Sequence, residues 1–259
     1  MASTVTLEEV KKAIFFPFKG EKWGIKLLIG SMIMVAVYIP VAGIAAIIAL
    51  DGYFGQIMKR VIVQDEDPEL PEWKDWGMLF LDGLKILGTS LIYTLPGMLC
   101  VVAGYALFMV LDFAFAFSTA SINPHATTLP PAFFGNLFGM FVGMALIWVG
   151  MLLMMVGVVF LPPALGNMIA KENFGAAFRI KEWWPVFKVN IGGYLLTIAM
   201  MMGIYSLMIL VIFCLYFTVI LCILIPIAVC VAIFLLGVMV FTLYAVSYRD
   251  GVRKLAEKG

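Results

Sequence analysis

The chain has 259 residues, 64% of them apolar and 13% charged, with a formal net charge of +1. Soluble chains carry about 25% charged residues, so this composition and a mean hydropathy of +1.08 exclude an ordinary water-soluble domain. The length leaves room for one integral membrane domain over residues 1–259, and the near-zero charge argues against nucleic acid, which needs a basic face.

The N-terminus carries Glu8, Glu9, Lys11 and Lys12 where a cleavable signal would have its apolar core. The first apolar span is therefore expected to act as an uncleaved insertion signal. Thr6-Leu7-Glu8-Glu9 has capping-box spacing, and Leu7, Val10, Ile14 and Phe18 follow on one face. This predicts a short amphipathic helix on the membrane surface within residues 1–22, stopped by Pro17 and Gly20.

Leu27 to Leu50 is uncharged, with Lys19, Lys22 and Lys26 before it and Lys59 and Arg60 after it. Positive residues flank cytoplasmic ends, so the chain must go in and come back. Pro40 and Gly43 mark the turn. A first hairpin is predicted over residues 23–64, with a first arm, 23–39, that is short for a full span.

An acidic loop follows at 65–77. Asp65, Asp67 and Glu69 alternate as in a calcium loop, but Leu70 stands where Gly is required and Trp76 where Glu is required. A solvated cytoplasmic loop is the expectation. Gly52-Tyr53, Leu70-Pro71-Glu72-Trp73-Lys74-Asp75-Trp76-Gly77, Asp82-Gly83-Leu84-Lys85 and Ile92-Tyr93-Thr94-Leu95-Pro96 together resemble the signature of the prokaryotic domain of unknown function 4013 family. The likeness runs on to Tyr248-Arg249-Asp250. It implies a multi-pass membrane protein and carries over no catalytic or binding residue.

The second hairpin is predicted over residues 78–165. Its first helix starts at the surface, with Asp82 and Lys85 paired, and a kink is expected at Pro96-Gly97. A polar loop without Lys or Arg, residues 118–131, precedes a helix from Phe133 to Leu161 that Pro162-Pro163 should end. On that helix Gly135, Gly139, Gly143, Gly150 and Gly157 fall within about 80° of one another at 100° per residue. Such a stripe lets another helix, internal or from another chain, approach closely.

Residues 166–190 read as a cytoplasmic interfacial segment with Asn173 as N-cap and Trp183 and Trp184 as anchors. Trp23, Trp73 and Trp76 are predicted to anchor the earlier surface segments. Glu21-Lys22-Trp23, Glu72-Trp73-Lys74 and Glu182-Trp183-Trp184 suggest a weak threefold repeat, which anchoring alone also explains. From Val189 to Tyr248 sixty residues pass without Lys, Arg, Asp, Glu or His. A third hairpin is predicted over 191–248, divided at Pro226, followed by a cytoplasmic tail, 249–259.

All seventeen Lys and Arg lie within residues 11–26, 59–85, 171–188 and 249–258. Six membrane helices put every cluster on one side, with both termini cytoplasmic. The expected fold is thus an all-α polytopic bundle of about six membrane helices in three hairpins, with amphipathic interfacial helices, in the cell membrane. Its expected partners are membrane lipids and either further copies of itself or other membrane subunits.

Ionisable groups inside a bilayer are functional candidates. Asp51 and Asp112 qualify; the plainer readings are a carboxylate paired with nearby Lys59 or Arg60 and one at the outer headgroups. His125, the only histidine, reads as a loop residue, and Cys100, Cys214, Cys222 and Cys230 as apolar thiols without a CxxC pair. With no Walker loop, GxSxG, HExxH or CxxCH, the expectation is no catalytic residue, no metal and no cofactor. The leading reading is a packing or assembly subunit. The alternatives are a transporter or channel for an apolar or lipid-like molecule, and a lipid-acting enzyme using the carboxylates between Asp65 and Asp82.

Overall fold

A computed structural model of the chain describes residues 12, 15–119, 131–217 and 225–258. Most of the expected N-terminal amphipathic helix, the loop bearing His125, and Cys222 lie outside the described residues. Among those described there are seven α-helices and no strand. They are α1 (Trp23–Ala36), α2 (Pro40–Ile62), α3 (Trp76–Thr119), α4 (Pro131–Ala170), α5 (Ile180–Val189), α6 (Ile191–Phe217) and α7 (Ile225–Ala256). Single 3₁₀ turns occupy Phe16–Phe18 and Phe174–Phe178.

Five helices are long and apolar enough to cross a membrane: α2, α3, α4, α6 and α7. The 14 residues of α1 reach about 21 Å, short of the ~30 Å hydrocarbon core. Pro40 is the first residue of α2, with Ile39 extended before it. This is the place where a missing N–H costs nothing, and it sets the turn between the two arms.

Contacts divide the chain into two units, residues 1–89 with 162–259, and residues 90–161. In the first unit α7 is the hub: it packs against α1, α2, α5 and α6. From Val238 to Tyr248 every side chain but Phe241 is buried, as expected of a helix surrounded by others. Tyr53, Phe54, Ile57, Leu70, Leu79, Phe234 and Val238 form one core cluster. A Cβ on Gly52 would strike the carbonyl of Leu79, and one on Gly83 that of Ile48. Glycine at both positions is what lets α2 and α3 meet backbone to backbone.

The second unit is a helical hairpin. The pairing is antiparallel: Gly97 lies against Gly150, Gly104 against Gly143, Tyr93 against Gly157 and Leu111 against Gly139. A Cβ on Gly97 would sit 2.5 Å from the Gly150 carbonyl, and one on Gly150 2.7 Å from that of Gly97. Phe115 and Phe133 meet further along, centroids 5.9 Å apart.

Three expected boundaries move. Pro162-Pro163 does not end α4, which runs on to Ala170. The two lost donors are outweighed because Ala164, Leu165, Met168 and Ile169 are buried in the first unit, and membrane helices tolerate such prolines. The segment expected to be interfacial thus lies after α4, from near 171 rather than 166. The tail is helical to Ala256, held by buried Asp250 and Gly251. α3 is one helix through Pro96, the position where a kink was expected.

Candidate functional site

Asp51 lies at the midpoint of α2, eleven residues from Pro40 and from Ile62, about 16 Å from either end. The cations nearest in sequence are engaged elsewhere: Lys59 pairs with Glu172, and Arg60 with Glu66 at 3.0 Å and Glu69 at 2.9 Å. The pairing expected for Asp51 is therefore not formed. Asp112 is exposed on α3 in the second unit.

Below Asp51, where α2, the first turns of α3 and the last turns of α4 converge, is a cavity of about 270 Å³. Gly55, Met78, Leu81, Ile86, Met168 and Ile169 give it an apolar wall. Lys59, Glu172, Lys85 and Asp82 rim it in two ion pairs, the second at 2.8 Å. The Lys59 ammonium, and more weakly that of Lys85, holds the Glu172 carboxyl below its ordinary pKa. This lining offers charge and apolar surface but no hydroxyl, thiol or imidazole.

The acidic loop is pinned rather than free. Leu70 is buried, and Trp73 stacks on Tyr53 at 4.0 Å and 9°. The Trp73 indole donates to the Lys26 carbonyl at 3.0 Å, Lys26 Nζ donates to the Leu70 carbonyl at 2.7 Å, and Tyr53 Oη donates to the Pro71 carbonyl at 3.1 Å. Trp76 stacks behind Trp73 at 5.9 Å.

In the first unit two asparagines also organise contacts around α7. Asn167 Nδ2 donates to the Ala176 carbonyl at 2.8 Å and to Glu182 Oε2 at 3.2 Å, while Tyr248 Oη donates to Asn167 Oδ1 at 3.2 Å. Asn190 Nδ2 donates to the Ser247 carbonyl at 2.7 Å and Oδ1 accepts from Lys254 at 2.7 Å. Lys171 and Asn167 together hold the Glu182 carboxyl below its ordinary pKa. Sequence reasoning missed both amides because it searched the apolar runs for ionisable groups only. The signal was a lone amide within Leu165-Gly166-Asn167-Met168 and at the start of the sixty-residue run.

The five tryptophans named as anchors part company. Trp23, Trp76 and Trp184 are exposed, as an anchor must be. Trp183 is 2% exposed and its indole donates to the Ala177 carbonyl at 3.0 Å, so it is a core residue; Trp73 is committed to the stack on Tyr53. The three acidic–Trp–basic segments thus hold tryptophans in three different environments. Of the glycine stripe, Gly139, Gly143, Gly150 and Gly157 meet the other arm of their own hairpin, and Gly135 has open space. The described Cys100, Cys214 and Cys230 are free thiols, and among the described residues no three His, Cys, Asp or Glu gather as metal ligands would.

A family model described as a protein of unknown function, DUF4013, matches residues 35–217. No curated protein and no solved structure matches the chain.

Proposed function

The chain belongs to the DUF4013 family, and from that premise we propose that it is a non-catalytic membrane protein that works through helix packing, as an assembly subunit or organiser of a membrane complex. The observation that carries this reading is α6. Only 6% of its most apolar stretch is buried within the chain. Gly193, Tyr194 and Thr197 bury one side against α7. On the opposite side Gly192, Ala199, Gly203 and Ser206 are all exposed and fall within about 60° at 100° per residue. Gly192 and Gly203 have nothing within 4 Å of where a Cβ would be, and Ser206 satisfies its own hydroxyl on the Met202 carbonyl at 2.8 Å. Small residues in such a row give a second helix close access.

The protein sits in the cell membrane with α1 and α2 as one hairpin that returns to the side it entered, so that both termini are cytoplasmic; the support is that every Lys and Arg belongs to the first unit and none to residues 90–161. α5, with Trp183, Val186 and Phe187 turned inward and Lys181 and Lys188 exposed, is its amphipathic surface helix. Replacing Ala199 and Gly203 by Leu should shift the detergent-extracted complex to a smaller size; an unchanged size contradicts the reading.

A second reading, passage of an apolar or lipid-like molecule, is favoured by Asp51 alone. Asp51 is not among the residues lining the 270 Å³ cavity, which is why it ranks second. If it is right, Asp51→Asn abolishes the uptake of a labelled lipid by vesicles holding the protein; unaltered uptake excludes a role for Asp51.

A further inference from the structure

The end of the first unit that gathers the charges also holds a basin of about 380 Å³. The C-terminal ends of α2 and α4 and the last turns of α7 build it. Ile62, Ala170 and Val252 form an apolar side; Lys171, Arg249 and Arg253 form a cationic side, with Asp65 the one carboxylate in the lining.

The charges do not balance. Arg253 Nη2 reaches Asp65 Oδ1 at 2.6 Å, and Arg249 Nη1 reaches the same oxygen at 3.5 Å. Lys171 is turned to Glu182 at 2.6 Å, which also takes Arg179 at 3.4 Å. Of the three cations in the lining, Lys171 is thus paired outside it with Glu182, while Arg249 and Arg253 share the single carboxylate of Asp65, leaving one positive charge over among the described lining residues. Asp250 is 5% exposed and is not part of the lining. The Arg249 side chain is only 15% exposed, and its Nε is buried without a hydrogen-bond partner. A buried donor without an acceptor is costly, so Asp65 alone does not satisfy the Arg249 guanidinium.

We propose that this basin is an anion site that takes a phosphate monoester or diester, with Arg249 and Arg253 as its planar donors and Lys171 at its edge. The guanidinium fork matches phosphate oxygens two at a time. A basin of this size takes a lipid headgroup and not a whole lipid. The apolar side, with Val252 exposed, continues toward acyl chains, so the headgroup of an anionic lipid is the favoured source over free phosphate.

The test uses the full chain, purified and offered phosphatidylglycerol or phosphatidylcholine vesicles, with retained lipid read by native mass spectrometry. The wild type should retain phosphatidylglycerol preferentially, and Arg249→Gln with Arg253→Gln should lose about tenfold in retention, the equivalent of one lost contact of 1.4 kcal/mol. If that double variant fails to fold, Arg253→Gln alone, at a half-exposed position, serves in its place. Asp65→Asn should raise retention, because it removes the carboxylate that competes for both arginines; a purely structural ion cluster has no reason to bind lipid better without it. A rise in melting temperature with millimolar inorganic phosphate, matching that with lipid and absent in Arg253→Gln, keeps the anion site and assigns it to free phosphate. Equal retention of the two lipids by the wild type, with no response to inorganic phosphate, overturns the proposal.

Discussion

Trp73 shows how a single side chain can convert a charged loop into part of the fold. Its ring covers Tyr53, and its indole N–H is bound to the carbonyl of Lys26, so residues 70–73 are tied to both arms of the first hairpin. Trp73→Ala should cost about 2–3 kcal/mol of unfolding free energy, below the 3–5 of a fully buried tryptophan; Tyr53→Phe, which loses only the bond to Pro71, should cost about 1. Unfolding in mild detergent measures both. Glu182 gives a pH signature. Because Lys171 and Asn167 depress its pKa in the folded chain, its stabilising contribution is present above the ordinary glutamate range and is lost as pH falls through the lower folded value. Thermal stability should therefore decline on acidification below about pH 4.5, and Glu182→Gln should flatten that part of the profile. An identical acid limb in the variant would show that other carboxylates set it. The sequence made the loop's charges visible but not its anchoring, since the partner of Trp73 lies 47 residues away at Lys26 and no periodicity links them.

At the scale of the elements, close approach through glycine is what joins neighbouring helices. Gly83→Ala puts a methyl group into the backbone of α2, for which nothing flexible can yield, and should cost about 1–3 kcal/mol. Gly77→Ala, with open space around it, should be neutral or stabilise by up to about 1 kcal/mol. Equal behaviour of the two would contradict the packing described for α2 and α3. The same logic places the glycine stripe of α4. Its helical period was legible in sequence, but its partner was not, and the structure puts that partner in the other arm of its own hairpin. Gly143→Leu should accordingly disturb the fold of residues 90–161, seen as faster proteolysis within that segment. A helix boundary was legible where a proline met a turn, as at Pro40; the division expected at Pro226 adjoins residues outside those described. A boundary was misplaced where burial overrode the proline, as at Pro162 and Pro163, because hydropathy reports that a residue is apolar and not whether it faces lipid or core.

For the whole molecule, the contrast between α7 and α6 sets the account. From Val238 to Tyr248 α7 is buried in its own chain but for Phe241, whereas α6 touches that chain along one side and leaves a row of small residues exposed. We propose that a helix of that kind is half of an interface. The family match is to a protein of unknown function, so the account stands on this surface. Its most direct test is native mass spectrometry of the protein extracted gently from its own membrane. The account predicts a defined oligomer, or a second protein at fixed stoichiometry, that is lost when Ala199 and Gly203 become Leu. A folded monomer with no companion, in the wild type as in the variant, would contradict it.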